Sequence, residues 1–250
     1  MYNFFVNEPK DALGQYYIIG ADYNHIKNVL RMNVGDEFLV SFDGKSDLCR
    51  LAEFSTDTVI AEVISEDYQA TELPVKIHLL QGLPKGDKLE LIIQKAVELG
   101  VATVTPVEMK YSVVKLDDKK KKSKVARWQA VAESAAKQSK RSSIPEVLPV
   151  CDYNTALNMA KDYDLLLVPY ENENGMADTV LALQKLKNCK NVGILIGPEG
   201  GFSEDEIEKA KNMGGISISL GKRILRTETA AITAVGMCML QIEMDSGDNI

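Results

Sequence analysis

The chain has 250 residues, 45% of them apolar by count, and 29 Lys and Arg against 36 Asp and Glu give a net charge of −7. That supply of apolar side chains suffices for one large core, or for a large and a small one. No run of about eighteen apolar residues is available to span a bilayer and no basic leader precedes the strand-like start, so a cytoplasmic protein without a membrane role is expected. Cys49, Cys151, Cys189 and Cys238 are scattered without Cys-x-x-Cys spacing, which predicts reduced thiols, no disulfide framework and no metal site. His25 and His78 stand alone, with no nucleophile or carboxylate pattern around them to suggest a hydrolytic triad.

Residues 1 to about 70 alternate in short strand patterns, at Asn3 to Val6, Glu37 to Phe42, Leu48 to Phe54 and Thr58 to Ile64, with glycine turns and one helix over Asp22 to Met32. This reads as a small β-barrel. The segment holds 5 basic and 12 acidic residues, so any anionic partner must meet a local cluster such as Lys27, Arg31, Lys45 and Arg50. The polar stretch Ser65 to Pro74 is the expected hinge.

From Val75 the pattern changes to alternating strand and helix. Strands are predicted near Val75 to Gln81, Ala102 to Pro106, Glu146 to Val150, Asp164 to Pro169, Val192 to Ile196 and Ile216 to Leu220. Helices fall between them near Asp87 to Leu99, Lys124 to Ser139, Asn154 to Lys161, Ala177 to Lys187, Ser203 to Met213 and Glu228 to Glu243. Such alternation predicts an α/β domain with a mostly parallel sheet. Lys110 to Arg141 carries 11 Lys and Arg against 3 Asp and Glu, a basic stripe on an acidic protein. It can supply phosphate contacts, unless Lys119 to Lys122 form only a solvated loop. In the helix after that run, Val125, Trp128, Val131, Ala132 and Ala135 make an inner stripe, which assigns Trp128 to the core. The last helix is apolar on nearly every side, which predicts a second burial surface of the kind a homodimer provides.

Two polar, glycine-bearing loops follow strands in this half. Gly197-Pro198-Glu199-Gly200-Gly201 comes after Val192 to Ile196, and Leu220-Gly221-Lys222-Arg223-Ile224-Leu225-Arg226-Thr227-Glu228-Thr229-Ala230 after Ile216 to Leu220. In open α/β proteins ligands bind where such loops gather at the carboxyl ends of the strands. Ser203 and Glu206 fit a capping box for the helix after the first loop, and Phe202 fits a staple onto Ile207. Glu204, Asp205 and Glu206 already occupy the positive end of that helix, and no Lys-Ser or Lys-Thr pair follows the glycines. A phosphate cradle is therefore disfavoured against a neutral or cationic ligand held by backbone groups.

Taken with Gln81-Gly82-Leu83-Pro84-Lys85-Gly86-Asp87-Lys88, Ile93 to Val101 and Arg127-Trp128-Gln129, these loops give the chain a resemblance that runs from Phe4-Phe5-Val6 to Ala234. It resembles the bacterial ribosomal RNA methyltransferases of the SPOUT class that methylate N3 of one uridine in 16S rRNA. The resemblance implies a SPOUT-type parallel sheet with a C-terminal trefoil knot over residues 71–250, and a PUA-like β-barrel over residues 1–70. It implies S-adenosylmethionine (SAM) as cofactor, held by backbone groups of Ile196, Gly197, Gly201, Leu220, Gly221 and Leu225, with Pro198, Glu199 and Ile224 in the same site. It implies 16S rRNA of the small ribosomal subunit as partner, with Arg31, Lys85, Lys95, Gln138 and Arg141 toward the RNA. N3 methylation needs a cation where the uracil anion forms; Arg226 is the candidate, and Glu228 or a water is the candidate base. Another RNA target, such as a tRNA ribose hydroxyl, and a noncatalytic RNA-binding role remain open at this level.

Overall fold

The computed structural model describes residues 1–68, 70–170 and 175–247, so Gln69 of the expected hinge lies outside the described residues. The chain divides into two compact units, Met1–Glu72 with Ala136–Ile144, and Leu73–Ala135 with Pro145–Ile250. The nine-residue excursion at 136–144 into the first unit has no sequence signature, because a helix runs through its start.

The first unit contains β1 (Asn3–Phe5), β2 (Gln15–Ile19), α1 (Gly20–Asn24), β3 (Glu37–Phe42), β4 (Lys45–Ser55) and β5 (Thr58–Ser65). Their order is β1-β3-β4-β5-β2, with β1 parallel to β3 and the other pairs antiparallel. Among the described residues the strands pair in a single row with β1 and β2 at its ends, the all-β unit that the small-barrel reading anticipates. β2 has no counterpart in the sequence reading: Tyr16 and Ile18 face the core, but Tyr17 and Ile19 on the other face are also apolar, which hides the period of two. Phe4, Phe38, Val40, Leu51, Val59 and Ile26 form this unit's core. The expected helix over Asp22 to Met32 is α1 continued by a π-helical turn at His25–Val29, and it stops at Arg31, whose φ of 53° breaks the helical path.

The second unit holds β6 (Lys76–Gly82), α2 (Lys88–Glu98), β7 (Val101–Glu108), α3 (Asp118–Gln138, whose last turn belongs to the first unit), β8 (Glu146–Val147), β9 (Cys151–Asp152) and α4 (Tyr153–Met159). These are followed by β10 (Leu165–Pro169), α5 (Ala177–Gln184), β11 (Asn191–Ile196), α6 (Glu204–Asn212), β12 (Ile216–Ile218) and α7 (Thr227–Ser246). Every pairing in its sheet is parallel, in the order β12-β10-β11-β6-β7-β8, with β9 also on β7. Parallel strands buried on both faces need near-continuous apolar runs, and Leu165-Leu166-Leu167-Val168 and Val192 to Ile196 supply them. α4 and α6 pack on the face of Leu80, Leu166, Val168 and Leu195. The alternate residues Leu79, Leu167 and Ile194 point to the other face. There α7 packs on β6 and β11, and α2 packs on β7 and α7.

The lysine run is helical, not a loop. Asp117 Oδ1 accepts from the Lys120 amide at 2.8 Å, which caps α3 one residue before Asp118, and the intrinsic preference of lysine for helix carries the run through the first turns. Trp128 is buried within the second unit.

Candidate active site at the carboxyl edge of the parallel sheet

All strands of the second sheet point the same way, so the loops after β12, β10, β11 and β6 open on one edge. A cavity of about 590 Å³ lies there, inside the range of small-molecule sites. Ile196, Gly197, Pro198, Glu199 and Gly201 of the first loop line it together with Leu220, Gly221, Ile224, Leu225 and Arg226 of the second. It therefore gathers all nine residues assigned to a cofactor, together with Arg226. Pro169, Tyr170, Met176, Phe202, Lys222 and Arg223 also line it, none of them assigned to the site from the sequence. Ile224 is 85% exposed, a large apolar side chain presented to solvent at the rim.

The first loop is gripped by the segment after β6. A Cβ on Gly82 would stand 2.6 Å from the nitrogen and Cδ of Pro198, so only glycine lets the two backbones pass. Glu199 Oε1 accepts from the Lys85 amide at 3.0 Å and pairs with Lys88 Nζ at 3.0 Å. Burial alone would raise the Glu199 carboxyl; bonds from its own amide, the Lys85 amide and the Lys88 ammonium outweigh that and hold it below the usual range. The Lys88 ammonium is raised in turn by its bond to Glu199. The capping box forms as read: Ser203 Oγ accepts from the Glu206 amide and Glu206 Oε2 from the Ser203 amide. Glu206 Oε1 also takes the Lys110 amide at 2.8 Å.

The glycines of the two loops are required by conformation more than by a ligand. Gly201 and Gly221 have φ of 68° and 102°, and among the described residues a Cβ on Gly221 would approach only Arg223 Nη2, at 3.5 Å. A Cβ on Gly197 would press on Gly201, 3.1 Å away, so the first loop is folded against itself.

Thr227 joins the loops. Its hydroxyl donates to the Gly197 carbonyl at 2.7 Å and accepts from Gln81 Nε2 at 2.9 Å, all buried. Thr227 is the first residue of α7 and caps nothing; Arg226 stands at the cap position without a side-chain bond. A Thr before a helical pattern is the usual cap signal, but here the helix starts one residue earlier and the Thr227 hydroxyl is used between the loops.

Arg226 is exposed, and among the described residues its guanidinium has no ion pair. Glu199 and Glu228, the carboxylates of the two loops, are instead shared by Lys88, at 3.0 Å and 3.4 Å. The second contact is loose: Glu228 Oε2 is buried without a hydrogen bond among the described residues. Lys88 ended the Leu-Pro-Lys-Gly-Asp-Lys string, but nothing local distinguished it from Lys85.

The residues assigned to RNA are not equivalent. Lys85 is exposed, and Lys95 is paired with Glu98 one helical turn away at 2.9 Å. Lys121 is bound to Glu108 and Arg127 to Glu90, whereas Lys119 and Lys122 of the same helix stand in solvent. In the first unit, Arg31 and Gln138 are exposed. Arg141 is only 4% exposed; it is bound to Glu72, while its carbonyl accepts from Asn3. It is therefore withdrawn from the solvent-facing basic stripe, since an arginine at a helix end can equally lock a chain crossing. Lys137 likewise pairs with Asp22 at 3.1 Å. His78 is a half-buried packing residue, stacked on Tyr163 with its ring nitrogens on Thr103 and Asn191; burial lowers its pKa.

No helix among the described residues is long and apolar enough to cross a membrane, and no group of three His, Cys, Asp or Glu among them is placed to hold a metal.

The chain matches the family model for an RNA methyltransferase domain over residues 71–239 and that for an RNA methyltransferase PUA domain over residues 18–64. It is 40% identical to the ribosomal RNA small subunit methyltransferase E of Bacillus subtilis, over 99% of this chain and 100% of that one. It is 35% identical to the protein of the same name from Mesomycoplasma hyopneumoniae, over 96% and 99%. The crystal structure of the Neisseria gonorrhoeae ribosomal RNA small subunit methyltransferase E, bound to S-adenosyl methionine, superposes with a TM-score of 0.79 at 31% identity, covering 94% of this chain and 95% of that one. With both domains matched in order and the likeness running end to end, the chain belongs to the ribosomal RNA small subunit methyltransferase E family.

Proposed function

We propose that this protein is an SAM-dependent methyltransferase acting on N3 of one uridine in 16S rRNA of the small ribosomal subunit. The observation that carries this reading is the cavity at the carboxyl edge of the sheet, where two glycine loops are bound together and unpaired cations stand at the rim. The fit to SAM rests on a cavity of adequate size, on loop turns that the positive φ of Gly201 and Gly221 permits, and on a lining that includes Tyr170, Phe202, Leu220 and Leu225. The ligand in the Neisseria gonorrhoeae relative supports the same choice. When bound, SAM supplies an electrophilic methyl carbon on a sulfonium.

The protein's own residues do the rest. Losing the N3 proton leaves an anion spread over the uracil oxygens, and a guanidinium already in place stabilises it without reorganisation. Arg226 fits that role, since no carboxylate among the described residues claims it. Glu228 is the nearest carboxylate in sequence to accept the proton, directly or through water, and its under-bonded Oε2 supports this. Lys85, Arg31, Gln138 and the exposed lysines of α3 serve RNA contact, and Lys95 joins them if it exchanges Glu98 for a phosphate.

On the same reading the two loops belong to a trefoil knot, and the enzyme is a cytoplasmic homodimer. α7 buries Ala231, Ala234, Val235, Cys238 and Ile242 but leaves Leu240 and Met244 exposed, as α5 does Val180 and Leu181, and a second copy would cover them.

The test is mass spectrometry of 16S rRNA from a strain lacking the gene. The expected result is loss of 3-methyluridine at one position, restored by the purified protein with SAM. An unchanged modification profile overturns the reading.

A further inference from the structure

We infer that Gln81 is a positioning residue which sets the direction of the hydrogen-bond chain locking the two cavity loops together; this rests on the reading of that cavity as the SAM site. Gln81 is fully buried in the middle of the parallel sheet, on β6 between β11 and β7. Its Nε2 lies 2.9 Å from the Gly82 carbonyl and 2.9 Å from Thr227 Oγ1. A carbonyl can only accept, so the amide must present nitrogen and not oxygen on this side. The second amide hydrogen then goes to the Thr227 oxygen. Thr227 has one hydroxyl proton, and the remaining neighbour, the Gly197 carbonyl at 2.7 Å, can only accept it. The chain therefore runs one way, from β6 through the first residue of α7 into the first glycine loop.

A second observation points the same way. Gln81 Oε1 is buried and has no hydrogen-bond partner among the described residues. An unsatisfied acceptor at the centre of a sheet is unfavourable, and an apolar side chain of similar length would avoid it. The amide is thus explained by what its nitrogen does, not by packing. Two consequences follow for the site. Gly197 and Thr227 are held as one body, and the position of Arg226, which directly precedes Thr227, is thereby tied to the first loop. Gln81 acts on the cavity without lining it.

The experiment measures SAM affinity by calorimetry, and KM for SAM and for RNA separately, in full-length Q81M, T227V, T227S and the double variant Q81M/T227V. Q81M and T227V are each expected to weaken SAM binding about tenfold, the scale of one buried hydrogen bond lost, with KM for RNA unchanged. If Gln81 acts through the Thr227 hydroxyl, the double variant stays near about tenfold; independent effects would multiply to about a hundredfold. T227S keeps the hydroxyl and is expected to bind like the wild type. Unaltered SAM affinity in Q81M, or full multiplication in the double variant, overturns the inference. So does a Q81M chain that loses its fold while T227V keeps it, because Gln81 would then serve the core and not Thr227. Wild-type protein that binds no SAM would instead overturn the cavity reading on which the inference stands.

Discussion

The Lys88 ammonium lies 3.0 Å from Glu199 Oε1, and this contact fastens the start of α2 to the first glycine loop. The same ammonium stands 3.4 Å from Glu228 Oε2, so one cation keeps two carboxylates compatible beside the cavity. Replacing Lys88 with Met is expected to loosen the loop and to raise KM for SAM about fivefold, the scale of a partly exposed ion pair. Arg at this position should retain most of the affinity, and E228Q in the K88M background should recover part of it. Wild-type kinetics in K88M would mean that the Lys85 amide alone holds Glu199.

Gly221 has φ of 102°, where a β-branched side chain is strained whatever space surrounds it. G221V is expected to abolish measurable SAM binding by distorting the second loop while the thermal unfolding transition stays cooperative. G221A should bind measurably but weakly. Calorimetry showing equal affinity for all three would place the cofactor elsewhere.

Arg226 is predicted to act only as charge develops. R226A should lower the single-turnover methylation rate by about a hundredfold or more and leave SAM affinity nearly unchanged. The rate of the variant should partly recover as pH rises, because uridine then ionises without help. A defect confined to SAM affinity would assign Arg226 to cofactor binding.

Neutralising Lys119 and Lys122, which stand in solvent on α3, should weaken RNA binding and flatten its log-log salt dependence by about one unit per lost phosphate contact. K121Q should do less, since Lys121 is already bound to Glu108. An unaltered salt slope in the Lys119 and Lys122 variants would return them to a solvated helix face.

Burial would raise the Glu72 carboxyl, but Arg141 and the Ser143 bonds outweigh it and hold it below the usual 4.5. A depressed carboxyl contributes stability that is complete above the unfolded value and disappears as pH falls through the folded one. The difference in melting temperature between wild type and E72Q should therefore be full at pH 7 and shrink as pH drops below 4.5. R141M should cost roughly 2 kcal/mol at pH 7, less than a fully buried pair, because the Glu72 side chain stays 26% exposed. A gap that does not depend on pH would mean the pair is not what stabilises this crossing.

What could be read from the sequence was whatever chemistry acts within a few residues. The Ser203–Glu206 box closes over three positions, and the inner stripe of α3 repeats with the turn of the helix, so both were legible and both form. Alternation of apolar runs with helical stripes was enough to establish a parallel α/β sheet, because parallel strands need crossovers. The loop alternative for the lysine run gives way to helix, because charge masks helix preference unless the Asp117 cap is weighed beside it. The rest depended on distance in space. Lys88 and Glu199 are 111 positions apart, Gln81 and Thr227 146, and Arg141 and Glu72 69, and no local period links such pairs. The sequence by itself therefore determined the class of fold, the capping box of α6 and the glycine loops, all set by short-range backbone preference. Only the tertiary structure decided which cation stays unpaired, which is buried and which hydroxyl joins the loops, because those outcomes depend on the partners that packing brings within 3 Å or so.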